Sequence, residues 1–216
     1  MSHLDIQTAY WDKVAFQKTF SHPIPLPLFR DALPLTARIL DYGCGYGRAC
    51  SALADAGYSD IIGLDISSEM VRRGKELDGR VDLRTFDGTA TGFDEGSFDL
   101  CLLITVLTCI PSDEGQELTV REIQRLLRPG GFLFVSDMPL QTDARNRQRY
   151  REFQKEFGTY GVFRTGDAVV RHHDMRWVYQ LLSGFAVVRE SRVRITTMNG
   201  HEADAFQVMA RKKESR

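Results

Sequence analysis

The chain of 216 residues has few cysteines, and none is placed to form a metal site. No two of Cys44, Cys50, Cys101 and Cys109 form a CxxC pair, which argues against structural zinc. Two of them lie in the apolar stretch CLLITVLTC, where cysteine behaves as a small hydrophobic residue. We therefore interpret all four as free thiols, which is typical of a protein in the reducing cytoplasm.

The chain also lacks an excess of either charge and a long apolar run. Its 28 basic and 29 acidic residues give a formal net charge of -1, which argues against a nucleic-acid or anionic-membrane surface. The run around LCLLITVL is too short to span a bilayer, and MSHLDIQTAYWDK does not resemble a signal peptide. We expect a cytoplasmic protein with a small-molecule or protein partner, and the sequence leaves its oligomeric state open.

Strand-like and helix-like segments alternate along most of the chain. Five short apolar segments are predicted to be strands: 38–42, 61–64, 81–86, 98–105 and 132–136. Short connections between alternating strands and helices predict a parallel sheet with helices on both faces. Two further strand-like runs, 185–197 and 205–212, are joined through MNGHE, which favours an antiparallel hairpin. The predicted fold is α/β: a Rossmann-like, doubly wound sheet of seven strands, mostly parallel, with an antiparallel C-terminal hairpin.

Two segments do not fit this alternation. Residues 1–30 begin with helical spacing, and the three prolines of SHPIPLPLF predict no regular helix there. Residues 139–173 read as a helix followed by a small hairpin around Thr165-Gly166-Asp167. We predict one domain over 1–216, with 1–30 as an N-terminal helical cap and 139–173 as an inserted cover for the substrate.

The stretch ILDYGCGYGRAC follows the first predicted strand and suggests a ligand that comes close to the backbone. A dinucleotide fingerprint needs G-x-G-x-x-G/A, but Arg48 or Cys50 stands at its last position, which counts against an NAD or FAD oxidoreductase. No Gly-Lys-Ser/Thr follows, as a phosphate loop would require. Acidic residues also end four predicted strands, at Asp41, Asp65, Asp87 and Asp137.

Five motifs in order resemble those of the class I S-adenosylmethionine-dependent methyltransferases: LDYGCGYGRA, GLDIS, FDG, FDLCLLITVLTCI and LLRPGGFLFVSD. The chain is most similar to small bacterial enzymes of this class that modify small molecules. The resemblance implies methyl transfer from S-adenosylmethionine to oxygen, nitrogen or sulfur of a small molecule, without a metal ion, and S-adenosylhomocysteine as product. A non-catalytic sensor or partner subunit that binds the same cofactor stays open.

The resemblance also implies roles for individual residues. Asp41 would accept from the cofactor's ammonium group, Asp65 from the ribose hydroxyls and Asp87 from the adenine amino group. The full set of implied cofactor-binding residues is Tyr10, Trp11, Asp41, Gly43, Gly45, Arg48, Asp65, Ile66, Asp87, Gly88, Ile104 and Thr105. Tyr10 and Trp11 can instead pin the N-terminal helix to the core, and Arg48 can pair with a neighbouring acid.

Candidates for catalysis are His172, His173 and Tyr10. Histidine accepts a proton near neutral pH, although a pair of surface histidines is often inert. Arg164 or Arg171 would suit an acidic acceptor. The class has no universal catalytic residue, because the methyl group is already activated and orientation supplies much of the acceleration.

Overall fold

The computed structural model describes residues 5–214, and residues 1–4 of the predicted cap lie outside this range. Within it the strands are β1 (Arg38–Tyr42), β2 (Asp60–Asp65), β3 (Asp82–Thr85), β4 (Phe98–Ile104), β5 (Leu127–Asp137), β6 (Val162–Thr165), β7 (Ala168–Arg171), β8 (Phe185–Thr196) and β9 (Glu202–Lys212). The α-helices are α1 (Thr8–Val14), α2 (Leu26–Ala32), α3 (Arg48–Asp55), α4 (Ser68–Leu77), α5 (Asp113–Leu126), α6 (Ala144–Phe157) and α7 (Met175–Leu181). Short 3-10 turns cover Leu107–Cys109 and Leu182–Gly184.

Seven strands form the central sheet, in the order β3-β2-β1-β4-β5-β9-β8. Strands β1 to β5 are parallel, β9 is antiparallel to β5, and β8 is antiparallel to β9. The predicted α/β fold with its C-terminal hairpin is confirmed. The strand order reverses between β1 and β4, so the crevice at their carboxyl ends is where such sheets bind ligands.

Helices cover both faces of the sheet, which explains the nearly continuous apolar sequence of β4. Leu100 and Leu102 pack in one cluster with Phe29 of α2 and Leu53 of α3. Their neighbours along the strand pack on the opposite face, in the cluster that contains Ile123 of α5. This two-sided core fixes the ends of the central strands, where the functional loops begin.

The helix ends near these loops follow from local capping. The Ser67 hydroxyl accepts from the Met70 N–H at 3.1 Å and so caps α4. Asp143 caps α6 by accepting from the Asn146 N–H, and the helix ends at Gly158, whose φ is 74°.

Two local predictions need correction, and one helix was not predicted. Helix α2 forms over Leu26–Ala32, although no regular helix was expected across the prolines. Pro25 precedes it and Pro27 lies in its first turn, where a backbone N–H is not needed, so proline is compatible with a helix start. The N-terminal helix is limited to Thr8–Val14, and α7 was not anticipated.

The N-terminal segment is tied to the hairpin formed by β6 and β7. The Gln7 side chain donates to the Val169 carbonyl at 2.8 Å and accepts from the Val169 N–H at 2.9 Å. An exposed ion pair joins Lys13 to Asp167 at 2.6 Å. These contacts bring two segments that are distant in sequence together above the carboxyl ends of the sheet. In the described part of the chain, no helix has both the length and the apolar character needed to span a bilayer.

Candidate functional site

A cavity of about 390 Å³ lies at the carboxyl ends of β1, β2 and β4. Helix α1, helix α6, the β6–β7 hairpin and the β8–β9 turn enclose it. The structure brings most of the predicted site residues to its walls: Tyr10, Trp11, Asp41, Gly43, Gly45, Arg48, Asp65, Ile66, Gly88, Ile104, Thr105 and His172. The strand-end loops thus meet the two cover segments around one space.

The glycine loop turns sharply beneath this cavity. Gly43 and Gly45 have φ values of 76° and 56°, in the left-handed region that favours glycine. A Cβ atom on Gly45 would lie 2.5 Å from Cε2 of Phe20, and one on Gly43 would lie 2.6 Å from Cγ2 of Val106. The two glycines therefore allow the loop to turn sharply, and they also allow Phe20 and Val106 to pack closely against it.

Asp65 ends β2 and links the glycine loop to α4. Its carboxylate accepts from the Gly45 N–H at 2.7 Å and from the Ser67 N–H at 2.9 Å. The residue is only 8% exposed, and burial raises the pKa of its carboxyl to about 6, although these N–H groups oppose the shift. A carboxylate has about four acceptor positions, so Asp65 retains acceptor capacity toward the cavity.

Asp41 ends β1 and is 2% exposed. The Cys50 thiol lies 3.5 Å from its Oδ2, and burial raises the pKa of the carboxyl to about 7. The positive charge of Arg48 opposes that rise. Arg48 itself donates to the His22 carbonyl at 2.5 Å, so this arginine holds the 20–22 segment over the loop while it lines the cavity.

The floor of the cavity contains strained backbone. Thr105, directly after β4, has a φ of 58° and is the non-glycine residue with positive φ among residues 5–214. Its N–H donates to the Ser136 carbonyl at 2.8 Å, and its hydroxyl donates to the Ile104 carbonyl at 2.7 Å. A β-branched residue in this region costs about 1–3 kcal/mol, and such strain is typical of functional sites.

Tyr10 and Trp11 pack against the N-terminal core and also line the cavity. Their rings meet edge to face at 4.9 Å, and both pack against the cluster of Val14, Ala15 and Met70 while lining the cavity. Burial, followed by the charges of Cys109 and Asp167, raises the pKa of Tyr10. Tyr10 is therefore protonated at neutral pH and can offer a hydrogen bond rather than accept a proton.

His172, directly after β7, lines the part of the cavity that α6 and the β6–β7 hairpin form, which we call the acceptor side. Its Nδ1 is 2.5 Å from the Tyr150 hydroxyl, which also accepts from the Gln141 N–H at 3.1 Å. Tyr150 is fully buried, so its proton needs an acceptor, and Nδ1 is the one available. This arrangement assigns the proton of neutral His172 to Nε2. Burial, with Arg149 as the next cause, holds the pKa of His172 well below its usual range.

Two predicted site residues do not line the cavity. Asp87 is exposed, and its Oδ1 accepts from the Thr89 N–H and hydroxyl and from the Ala90 N–H. Its carboxylate closes a local turn outside the cavity wall, and its contact with the adenine stays a prediction.

His173 is the second. It is fully buried, with its ring 6.4 Å from that of Phe206 and Nε2 3.7 Å from Oδ1 of Asp137. Among residues 5–214, neither ring nitrogen has a hydrogen-bond partner. Because successive side chains of extended backbone point to opposite sides, His172 faces the cavity and His173 the core. His173 therefore does not line the cavity with His172, and a catalytic role for it stays a prediction.

Other lining residues were not singled out by the sequence for this place. They come from the 20–22 segment, from α6 and from the β8–β9 turn, and include Phe20, Asn146, Arg149, Thr197, Met198, Asn199 and Glu202. Phe163 lines the cavity, whereas Tyr160, Arg164 and Arg171 do not. No spacing within the sequence links these segments, since they meet only in the folded chain.

The donors and acceptors on the cofactor side fit S-adenosylmethionine. Two buried carboxylates, Asp41 and Asp65, suit an ammonium group and a ribose diol, and both line the cavity together with the glycine loop. Ile66 and Gly88 form an apolar wall suited to a purine. Within the described range, no three His, Cys, Asp or Glu side chains are grouped to hold a metal ion.

Comparison with known proteins also finds similarity to methyltransferases. Residues 40–135 match the family model described as a methyltransferase domain. A solved S-adenosylmethionine-dependent methyltransferase from Methanosarcina mazei superposes with a TM-score of 0.81 at 23% identity, over 88% of this chain and 98% of that one. The resemblance to the class I methyltransferases is confirmed, and S-adenosylmethionine is the cofactor that this family and fold imply.

Two curated relatives match shorter stretches. The 2-methyl-6-phytyl-1,4-hydroquinone methyltransferase of Synechocystis sp. is 32% identical over 117 residues, 52% of this chain and 36% of the relative. The ubiquinone biosynthesis O-methyltransferase of Xanthomonas oryzae pv. oryzae is 31% identical over 137 residues, 60% of this chain and 56% of the relative. The chain thus matches about a third to a half of the lengths of these methyltransferases.

Proposed function

We propose that this chain transfers a methyl group from S-adenosylmethionine to an oxygen, nitrogen or sulfur atom of a small molecule. The observation that carries the proposal is the position of Asp65, a buried carboxylate at the end of β2 that holds the glycine loop and lines the same cavity. The names of the two curated relatives, which refer to a hydroquinone and to ubiquinone biosynthesis, support a small-molecule acceptor.

On the cofactor side, we assign binding roles to the strand ends. Bound S-adenosylmethionine would supply a methyl group on positively charged sulfur. Asp65 would accept from the ribose hydroxyls, Asp41 would pair with the ammonium group, and Ile66 would contact the adenine. A nearby cation favours the ionised carboxylate, so cofactor binding would oppose the rise that burial causes in the pKa of Asp41.

On the acceptor side, the chain would orient the acceptor and exclude water. His172 would present its Nε2–H to the acceptor as a hydrogen-bond donor, because the Tyr150 hydroxyl occupies Nδ1. Tyr10 would offer a second donor from α1. We assign the cover role to the N-terminal segment and to residues 139–173, which meet at the Gln7 and Val169 contacts.

The near balance of charge supports a partner other than nucleic acid or an anionic membrane. The four cysteines are unpaired, which supports a reducing compartment such as the cytoplasm.

A labelling experiment tests the proposed reaction. The protein is incubated with methyl-labelled S-adenosylmethionine and a panel of phenols, thiols, amines and carboxylic acids, with NAD binding measured in parallel. We expect label in a small molecule and an equal amount of S-adenosylhomocysteine. Binding of the cofactor with no labelled acceptor, even from cell extract, would favour a sensor or partner subunit. Label in protein bands would show that the methyl acceptor is a protein rather than a small molecule.

A further inference from the structure

An arginine that forms no ion pair with any residue of the described range 5–214 lies on the acceptor side of the cavity. Arg149 projects from α6, is half-buried, and lines the cavity beside Phe163 and His172. Its Cζ lies 3.6 Å from the centroid of the Phe163 ring, so the guanidinium is held against the aromatic face. Its Nε is enclosed and has no hydrogen-bond partner. The side chain is therefore fixed in place by packing rather than by an ion pair.

The two arginines that the sequence suggested for an acidic acceptor are occupied elsewhere. Arg164 is exposed and pairs with Glu156 at 2.5 Å. Arg171 is buried and pairs with Asp113 at 2.5 Å. Among residues 5–214, Arg149 has no carboxylate oxygen within the 4.0 Å of an ion pair.

The acids nearest this wall already have partners. Asp143 lines the cavity, but its carboxylate accepts from the backbone and side-chain nitrogens of Asn146. Glu202 accepts from the Thr196 hydroxyl at 2.6 Å and lies 3.7 Å from Arg194. Neither acid forms an ion pair with Arg149. Burial lowers the pKa of its guanidinium, and the charge of Asp143 opposes only part of that effect. A partly desolvated cation without a counter-ion costs free energy, which a bound anion would recover.

We propose that Arg149 binds a carboxylate of the methyl acceptor, so the acceptor is a small organic acid with an apolar body. This inference rests on the proposed function, because it assigns the ligand of the same cavity. Apolar side chains that line the cavity include Met138, Phe163, Ala168, Val170 and Ile195, beside polar ones such as Gln141, Arg145 and Asn146. A planar guanidinium matches a carboxylate through two parallel hydrogen bonds. The Nε2–H of His172 adds a donor on the same wall.

Calorimetric titration tests the assignment with matched probes. Benzoate, cinnamate and hexanoate, each beside its neutral amide, are titrated into protein saturated with S-adenosylhomocysteine. We expect at least one carboxylate to bind about 10-fold or more tightly than its amide, as one charge-assisted bidentate contact allows. R149Q should remove that preference and leave the affinity for the amide and for S-adenosylhomocysteine unchanged. R147Q is the control, because Arg147 is exposed on the same helix and does not line the cavity.

Several results would overturn this assignment. They are equal binding of carboxylates and amides, no binding of any carboxylate, or a carboxylate preference that survives in R149Q. Tighter binding of phenyl phosphate than of benzoate would show that Arg149 binds a phosphate group of the acceptor rather than a carboxylate. Failure of S-adenosylhomocysteine to bind would refute the proposed function instead, and titration of the same pairs into the free protein would still test Arg149.

Discussion

The two halves of the cavity are built in different ways. The cofactor half comes from the ends of adjacent parallel strands, with Asp41 after β1 and Asp65 after β2, joined by the glycine loop. The acceptor half comes from α6, the β6–β7 hairpin, the β8–β9 turn and the 20–22 segment, which meet only after folding. The sheet positions the first half directly, whereas the second depends on packing between remote segments.

The halves also differ in charge. The cofactor half holds two buried carboxyls whose pKa values are raised by burial, and the acceptor half holds a partly buried guanidinium whose pKa is lowered by burial. Each half carries the charge opposite to that of the group proposed to bind there. A variant in one half should therefore leave binding in the other half intact.

The largest effect should come from D65A. Loss of charge-assisted bonds to the ribose should weaken S-adenosylhomocysteine binding by about 100-fold, or ~3 kcal/mol. The measurement is calorimetric titration at neutral pH. D60A is the matched control, because Asp60 is exposed at the opposite end of β2 and pairs with Arg38. Near-normal binding in D65A would remove Asp65 from the cofactor half.

A pair of glycine variants separates backbone strain from contact. Both Gly45 and Gly166 have positive φ, at 56° and 59°, but only Gly45 has a side chain, that of Phe20, in the space of a new Cβ. G166A should lose about 1 kcal/mol of unfolding free energy through strain, and G45A about 1–2 kcal/mol more through the contact. Equal losses in urea unfolding would show that Phe20 moves aside freely.

Removal of the Asp41 charge should stabilise the free protein at neutral and higher pH. Burial raises the folded-state pKa of Asp41 from 3.8 to about 7, so folding disfavours its ionisation. That cost is absent below about pH 4 and grows as pH rises toward 7, after which it is constant. D41N should therefore gain about 2 kcal/mol at about pH 8, shrinking toward zero at about pH 4.5.

Urea unfolding at the two pH values measures the Asp41 effect. D31N is the control, because Asp31 is exposed on α2. The same gain at both pH values would point to a cause other than the carboxyl charge. D41N should also bind S-adenosylhomocysteine more weakly, since the ammonium group loses its anionic partner.

The smallest effect belongs to the acceptor half. Y150F removes the hydroxyl that contacts Nδ1 of His172 and the Gln141 N–H, and should cost about 1–2 kcal/mol of unfolding free energy. Nitrogen NMR should show that His172 loses its preference for the Nε2–H form, while S-adenosylhomocysteine binding is retained. Y160F is the control, because the ring of Tyr160 lies 5.2 Å from the ring of Tyr150 and Tyr160 is partly exposed. An unchanged NMR spectrum in Y150F would contradict the tautomer assignment.

The difference between the halves also explains what the sequence could predict. Apolar segments that end in an acid mark parallel strands and their functional ends, so β1, β2 and the glycine loop were predictable. Arg149 was not, because the sequence RNRQRYREFQ has an arginine in many positions and only packing shows which one enters the cavity. His172 and His173 are adjacent, and their opposite directions depend on backbone geometry. Asp87 follows the pattern of the other strand ends but closes a local turn instead.

The most direct test of this account is parallel calorimetric titration of the wild-type protein with S-adenosylhomocysteine and NAD. The account predicts one S-adenosylhomocysteine per chain, with affinity that falls as pH is lowered through the pKa of Asp65 near 6, and no binding of NAD. Binding of NAD without S-adenosylhomocysteine would contradict the assignment of the cofactor half.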